Sequence, residues 1–240
     1  MFRFTLKYVN QMRPSRSTIP GLLAAAGVTL APPQCVLCGR PGLPGPIDLC
    51  AACLAELPSA AHDPPSGSAA YVLVCCPWAY DYPVADLVRQ LKYSGERAHG
   101  RLLGTLLARE RARHGAPLPD CVVPVPLHAR RLRERGYNQA AELARYAARA
   151  LALRCRVTAL QRLRATREQT ALHAAERAAN TRHAFTARHA LDGLRVALVD
   201  DVITTGSTAA AAAAALRAAG VAEKELWVVA RAVRRLKVSP

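Results

Sequence analysis

The sequence predicts an α/β protein: a parallel sheet covered by helices on both faces, preceded by a small module built on four cysteines. Two observations carry this reading. Apolar segments at about 71–76, 121–125, 157–163, 194–199 and 225–231 alternate with amphipathic or alanine-rich segments. That alternation is the mark of strand–helix–strand units joined by right-handed crossovers. The pairs Cys35-x-x-Cys38 and Cys50-x-x-Cys53 stand ahead of the first such unit. A chain of 240 residues has length for one sizeable domain and one small one. The expected division is a tail over 1–31, the cysteine module over 32–58, a linker over 59–70 and the α/β domain over 71–240.

The first 31 residues are poorly specified. Arg3, Lys7, Arg13 and Arg16 precede an apolar segment, Leu22 to Leu30. A basic stretch before an apolar one also reads as a signal peptide, but here the basic part is long and Gly27 and Thr29 interrupt the apolar run. A loose tail, or a start codon placed too early, is the expectation. No apolar stretch has the length of a membrane-spanning helix, so no membrane partner is expected.

In the cysteine module, two Cys-x-x-Cys pairs offer four thiolates for a tetrahedral Zn²⁺, with Cys35, Cys38, Cys50 and Cys53 as ligands. The connection between them is turn-rich, with Gly39, Gly42 and Gly45 beside Pro41, Pro44 and Pro46. So short a segment cannot bury a core, and a metal would supply its folding energy. Four protein ligands leave no open position, which makes the expected zinc structural. Two disulfides are the competing arrangement and need an oxidising compartment. Cys75, Cys76, Cys121 and Cys155 lie outside the pattern and read as small buried apolar residues. Unpaired thiols beside a metal site point to a reducing cytoplasm.

Ala60 to Ser68 is rich in Pro, Ser, Gly and Ala and reads as the linker. Tyr71 to Trp78 follows as a strand, then a helix over Val84 to Tyr93 with Leu87, Val88 and Leu91 on its apolar face and Gly95 as its stop. A second helix is expected over Arg101 to Arg113, with Arg109, Arg111 and Arg113 as a solvated face. Cys121 to Leu127 reads as a buried strand ended by Pro124 and Pro126. His128 to Gln139 reads as a basic loop, and Gly136-Tyr137-Asn138 turns it into an alanine-rich helix reaching Leu151. Arg130, Arg131, Arg133 and Arg135 after a strand end could neutralise a pyrophosphate, since guanidinium groups match phosphate oxygens in pairs. An exposed basic loop is the plainer alternative, and His128 reads as an ordinary polar residue.

The most informative run is Arg195 to Thr208. Val196 to Val199 read as a buried strand, and Asp200 and Asp201 fall at its carboxyl end, where open α/β sheets hold ligands. Thr204, Thr205, Gly206, Ser207 and Thr208 then open a helix, presenting hydroxyls and unpaired N–H groups to an anion. Carboxylates for sugar hydroxyls or Mg²⁺, followed by a phosphate cradle, describe a sugar-phosphate site. The alternative is a plain strand–turn–helix in which Thr204 or Thr205 merely caps the helix. The alanine run Ala209 to Ala215 fits a helix packed closely on a sheet, and Glu225 to Val233 supplies the last strand.

The net charge of +16 favours polyanionic partners, either nucleic acid or phosphate-rich small molecules, although arginine and alanine enrichment also follows from a GC-rich genome. Aromatic residues make up only 5% of the chain, which is little for a base-stacking platform.

The run from Arg195 to Thr208 resembles the phosphoribosyl-pyrophosphate (PRPP) loop of type I phosphoribosyltransferases: an apolar strand, two acids, a short spacer, then Thr-Thr/Ser-Gly-x-Thr. Further motifs resemble the ComF (ComFC/GntX) branch of that superfamily. They are Leu91-Lys92-Tyr93-x-Gly95, Val123 to Leu127, Arg131, Arg135 to Gln139, Arg164-x-Thr166-x-x-Gln169, Arg177-x-x-Asn180 and Ala184-Phe185. The four-cysteine module is similar to that branch's N-terminal zinc finger, so the resemblance covers Cys35 to about Val233. One departure is His99-Gly100, where the family more often has apolar and small residues.

The resemblance implies the type I phosphoribosyltransferase fold and assigns roles. Asp200 and Asp201 would hold the ribose 2′ and 3′ hydroxyls, partly through Mg²⁺, as the catalytic pair. Thr204, Thr205, Gly206, Ser207 and Thr208 would hold the 5′-phosphate. Pro126, Leu127, Arg131 and Arg135 would lie on the pyrophosphate side, and Arg164, Thr166 and Gln169 in a mobile hood. A solvated helix over Leu172 to His183 is the alternative for part of that hood region. The resemblance further implies a cytoplasmic role in DNA uptake or DNA utilisation, with single-stranded DNA and competence proteins such as a helicase as partners. The resemblance also implies transfer to an acceptor base, tying the protein to nucleoside metabolism; no motif names the acceptor.

Overall fold

The computed structural model describes residues 33–60, 67–95, 97–163, 184–187 and 191–232. Within them the cysteine module carries one short helix, α1 (Ala51–Ala55). The α/β domain begins with β1 (Leu73–Cys75) and β2 (Trp78–Ala79), followed by α2 (Val84–Tyr93) and α3 (Arg97–Arg113). Then come β3 (Cys121–Pro124), α4 (Ala129–Arg135), α5 (Gln139–Ala150), β4 (Arg154–Cys155), β5 (Leu160–Arg162) and β6 (Phe185–Ala187). The described part ends with β7 (Arg195–Ile203), α6 (Ser207–Ala218) and β8 (Glu223–Arg231).

The main sheet runs β1-β8-β7-β3-β4, with β2 also on β8, and every pairing in it is parallel. The sequence expectation of a parallel sheet covered on both faces therefore holds. Alternation along the strands sorts the core into two layers. Val122, Ala197, Val199, Trp227 and Val229 face α2, α3 and α5, whose Leu87, Leu91, Leu102, Leu106 and Leu143 complete that layer. Cys121, Val123, Val196, Leu198, Leu226 and Val228 face the other way, against Ala209, Ala212, Ala213 and Leu216 of α6. The alanines let α6 lie close on the sheet, which is the packing use expected of the alanine run.

Four expectations are corrected. The segment expected as one strand, Tyr71 to Trp78, instead gives β1 and then the start of β2, both laid along β8. The segment expected as a sheet strand over 157–163 instead gives β5, which pairs antiparallel with β6 outside the main sheet. There Leu160 and Phe185 bury themselves beside α6 in the second layer. Residues 129–135, expected as a basic loop, form α4. His128 starts it by accepting a hydrogen bond from the Arg130 N–H, and Gly136 ends it at φ +76°, the left-handed conformation that glycine adopts without penalty.

Arg111, expected on a solvated face, is wholly buried. Its guanidinium donates to both carboxylate oxygens of Glu225 at 2.7 and 2.8 Å and to the carbonyls of Ala116 and Pro117. Trp227 donates its indole N–H to the same carboxylate. A buried cation is tolerated when paired and hydrogen-bonded in this way, and helical periodicity alone does not reveal the partner.

The cysteine module is docked on the domain rather than tethered to it. Cys35, Leu49, Cys50 and Leu57 belong to the same buried cluster as α2 and α3. Asp48 pairs with Arg101 of α3, and Ser59 bridges Trp78 at the sheet margin.

Candidate functional site

Two carboxylates stand at the carboxyl end of β7, in the middle of the sheet. β3 pairs with β7 as far as Val199, and β8 accompanies it past Asp200 to Ile203, so the strand is held on both sides up to the two acids and by β8 beyond them. The Asp201 N–H donates to Asp200 Oδ1 at 2.9 Å. Burial, and after it the charge of Asp201, pushes the Asp200 carboxyl from 3.8 up to about 7; Lys92 and Arg162 act in the opposite direction. Lys92, the penultimate residue of α2, places its Nζ 3.1 Å from Asp201 Oδ1. Burial and the neighbouring Arg131 hold the Arg162 guanidinium below its ordinary value, while Asp200 opposes them. Arg131 and Arg162 thus stand within electrostatic reach of one another, and Arg162 of Asp200.

The chain leaves β7 through Thr204 and Thr205 and enters α6 at Gly206, whose φ is +71°. Neither threonine caps the helix; α6 has no side-chain cap, and Thr205 Oγ1 instead lies 3.2 Å from Ser207 Oγ. The plain capped-helix alternative is therefore not what this sequence builds. The first N–H groups of α6 remain for a ligand, at the positive end of the helix. Asp200, Val202, Thr204, Gly206, Ser207 and Thr208 line one cleft with Val125 at its side. Thr205 and Asp201 stand beside it on the same loop and strand.

A second segment supports this loop from behind. A Cβ on Gly67 would stand 2.5 Å from the Gly206 carbonyl oxygen, so the two backbones touch. Tyr71, four residues on, donates its hydroxyl to the Ala209 carbonyl in the first turn of α6 at 2.7 Å. The end of the linker thus braces the phosphate-loop candidate, a contact with no signature in the sequence beyond a single glycine.

The Arg135 to Asn138 motif is a joint. Tyr137 donates its hydroxyl to the Leu91 carbonyl, next to Lys92. Asn138 donates to the Val125 carbonyl at 2.9 Å and accepts from the Ala140 N–H, so it ties the end of β3 to the start of α5. Arg135 lies over the exposed Tyr93 ring, 4.9 Å from its centroid. The motif thereby gathers the ends of α2, β3 and α4 around the carboxylates. Pro126 and Leu127 follow β3 into this joint, half-buried. The hood candidates Arg164, Thr166 and Gln169 lie outside the described residues.

Mg²⁺ takes oxygen ligands, keeps several waters, and is held by one or two carboxylates plus substrate phosphates. Asp200 and Asp201 beside an anion-ready helix start fit that donor set. They would hold such an ion against a bound phosphate, where it would neutralise developing charge on the leaving group.

The sulfur atoms of Cys35, Cys38, Cys50 and Cys53 all lie within 4.8 Å of one another. Ligands at the usual Zn–S length of about 2.3 Å sit about 3.8 Å apart on a tetrahedron. The Cys38–Cys50 separation of 3.7 Å matches that spacing. A hydrogen bond from Arg40 holds the Cys38 thiol down to about 6, whereas hydrogen bonding with Cys38 pushes Cys53 up to about 12. The cluster is compatible with a structural zinc, as the paired spacing predicted. The remaining cysteines are free thiols; burial pushes Cys75 and Cys76 up to about 12 and Cys155 to about 11.

No protein-family model matches the chain. Curated relatives do. A DNA utilization protein YhgH from Salmonella typhi is 34% identical over 211 residues, covering 83% of each chain. The protein of that name from Salmonella typhimurium is 34% identical over 228 residues, 89% of this chain and 98% of the relative. Competence protein F from Haemophilus influenzae is 36% identical over 160 residues, 64% of this chain and 70% of the relative. Among solved structures, a glutamine PRPP amidotransferase from B. subtilis, complexed with ADP and GMP, overlaps 54% of this chain and 25% of its own, with 26% identity and a TM-score of 0.39. With relatives matched over most of their length at this identity, the chain belongs to the competence protein F/DNA utilization protein YhgH family.

Proposed function

We propose that this protein binds PRPP together with Mg²⁺ in the cleft at the end of β7, in the service of handling incoming DNA. One observation carries the reading: two adjacent carboxylates on a central parallel strand run directly into an uncapped, glycine-started helix, and members of both groups line one cleft. Asp200 and Asp201 orient the ribose hydroxyls. Thr204, Thr205, Gly206, Ser207 and Thr208 take the 5′-phosphate through hydroxyls and N–H groups. Arg131, Arg135, Pro126 and Leu127 belong to the pyrophosphate side. With a nitrogen nucleophile at the anomeric carbon, the same groups would support phosphoribosyl transfer, chiefly by stabilising charge on the departing pyrophosphate.

Calorimetric titration of PRPP with Mg²⁺ into the zinc-loaded protein tests this, with an Asp200→Ala/Asp201→Ala variant as control. Saturable binding that the variant loses supports the reading. No binding to folded, zinc-replete protein overturns it.

A second reading has its own observation. α4 displays Arg130 and Arg133 to solvent, with Arg131 and Arg135 half-exposed. Such a basic edge suits a single-stranded DNA backbone without turnover. Affinity for an oligonucleotide should then fall steeply between about 50 and about 300 mM salt, with little dependence on sequence. A steady affinity across that range excludes this reading.

A further inference from the structure

We infer that Lys92 gates the carboxylate pair: its ammonium occupies Asp201 until an anionic sugar phosphate draws it away, so a divalent cation binds only together with that anion. This rests on the PRPP reading above and adds an order to it. Lys92 Nζ lies 3.1 Å from Asp201 Oδ1, and the two side chains are only 19% and 14% exposed. A pair so shielded is screened far less than a surface pair.

Cations already act on both carboxylates. Lys92 faces Asp201, while Arg162 and Lys92 both act on Asp200. A divalent cation arriving alone must displace an ammonium from a carboxylate and face a second cation nearby. A cation arriving with a pyrophosphate brings compensating negative charge. The Lys92 ammonium, on a flexible four-carbon stem, can then turn from Asp201 to a phosphate oxygen.

The backbone that carries Lys92 stays fixed meanwhile. Leu91 is fully buried and its carbonyl accepts the Tyr137 hydroxyl. The gate is therefore a side-chain movement about an anchored helix end. It makes the loss of one ion pair and the gain of another a single exchange. It also keeps a free divalent ion from occupying the sugar-hydroxyl position in the wrong order.

Mn²⁺ serves as the probe, because its free aqua ion gives a sharp paramagnetic-resonance signal and its hardness keeps it from a four-thiolate site. Zinc-loaded full-length protein is titrated with Mn²⁺ alone and then with PRPP present. The wild type should show no saturable Mn²⁺ binding below about 1 mM without PRPP. Lys92→Met should bind Mn²⁺ alone at least about tenfold more tightly, and Lys92→Met/Asp201→Asn should lose that gain. Lys92→Arg should keep the wild-type suppression. With PRPP present, Lys92→Met should instead bind the Mn²⁺–PRPP pair about tenfold more weakly. These opposite signs set a gate apart from simple structural damage. Unchanged Mn²⁺ affinity in a folded Lys92→Met protein overturns the inference. If the wild type fails to bind PRPP at all, the PRPP reading falls, and the Mn²⁺-alone comparison still decides whether Lys92 blocks the carboxylates.

Discussion

Tyr137 donates its hydroxyl to the backbone carbonyl of Leu91, across 46 residues of sequence, and so fixes the turn of α2 from which Lys92 reaches Asp201. The ring also receives the Arg97 guanidinium, 5.1 Å from its centroid. Tyr137→Phe keeps the ring and its packing but strands that carbonyl. The expected stability loss is about 1 kcal/mol by chemical denaturation. PRPP affinity should fall alongside it, because the Lys92 anchor loosens. A variant that loses stability but binds PRPP unchanged would show that the joint serves the fold alone.

Burial, and after it Asp201, pushes the Asp200 carboxyl up to about 7 in the folded protein against an ordinary 3.8. A folded state that holds its proton more tightly than the unfolded chain loses stability as pH rises between those values. Below about 4 both states are protonated and the cost vanishes. Asp200→Asn should therefore raise the melting temperature by about 2–4 °C at pH 8 and by almost nothing at pH 4. The same variant should bind PRPP more weakly at every pH. In the wild type, Mg²⁺–PRPP affinity should decline as pH falls below about 7, where the carboxyl takes up its proton.

Leu49, Cys50 and Leu57 share a buried cluster with α2 and α3, so zinc loss should reach the large domain. Removal of the metal with a strong chelator, or a Cys50→Ser substitution, should lower the melting temperature of the whole protein by several degrees. Differential scanning calorimetry checks it. A module that melts separately, leaving the main transition in place, would refute the docking.

Gly67 and Gly206 approach so closely that no side chain fits between them. Gly67→Ala should displace the loop before α6 and, on the PRPP reading, weaken PRPP binding by about tenfold or more, with the far-UV spectrum unchanged. The φ of +77° at Gly67 adds backbone strain to the same substitution. Gly115→Ala, at φ +69° with open space around it, is the control for strain alone.

Much of this architecture was legible in the sequence. The buried strands are β-branched or apolar runs ended by charge or proline, and the two acids before Thr204 announce the end of β7. What the sequence concealed were partners. Arg111 sits among other arginines on α3 and looks solvated until Glu225, 114 residues away, folds against it. α4 was hidden because a run of arginines carries helix propensity without an apolar face. β5 looked like a sheet strand because its apolar content is right, yet only the pairing partner β6 decides where a short strand goes. Lys92 was legible as part of a motif but not as the neighbour of Asp201, since a salt bridge between a helix end and a strand end leaves no local spacing to read.

The placement of β8 has a consequence for how the chain is made. It is the last strand of the described structure, yet it lies between β1 and β7 and contributes Trp227, Val228 and Val229 to the interior of both layers. While the ribosome is still translating, β1 and β7 have no neighbour to join them, and their backbone edges stay open. The sheet can close only after residue 231 has cleared the exit tunnel, so folding of the domain must wait for β8, and a product terminated before β8 would present an adhesive strand edge.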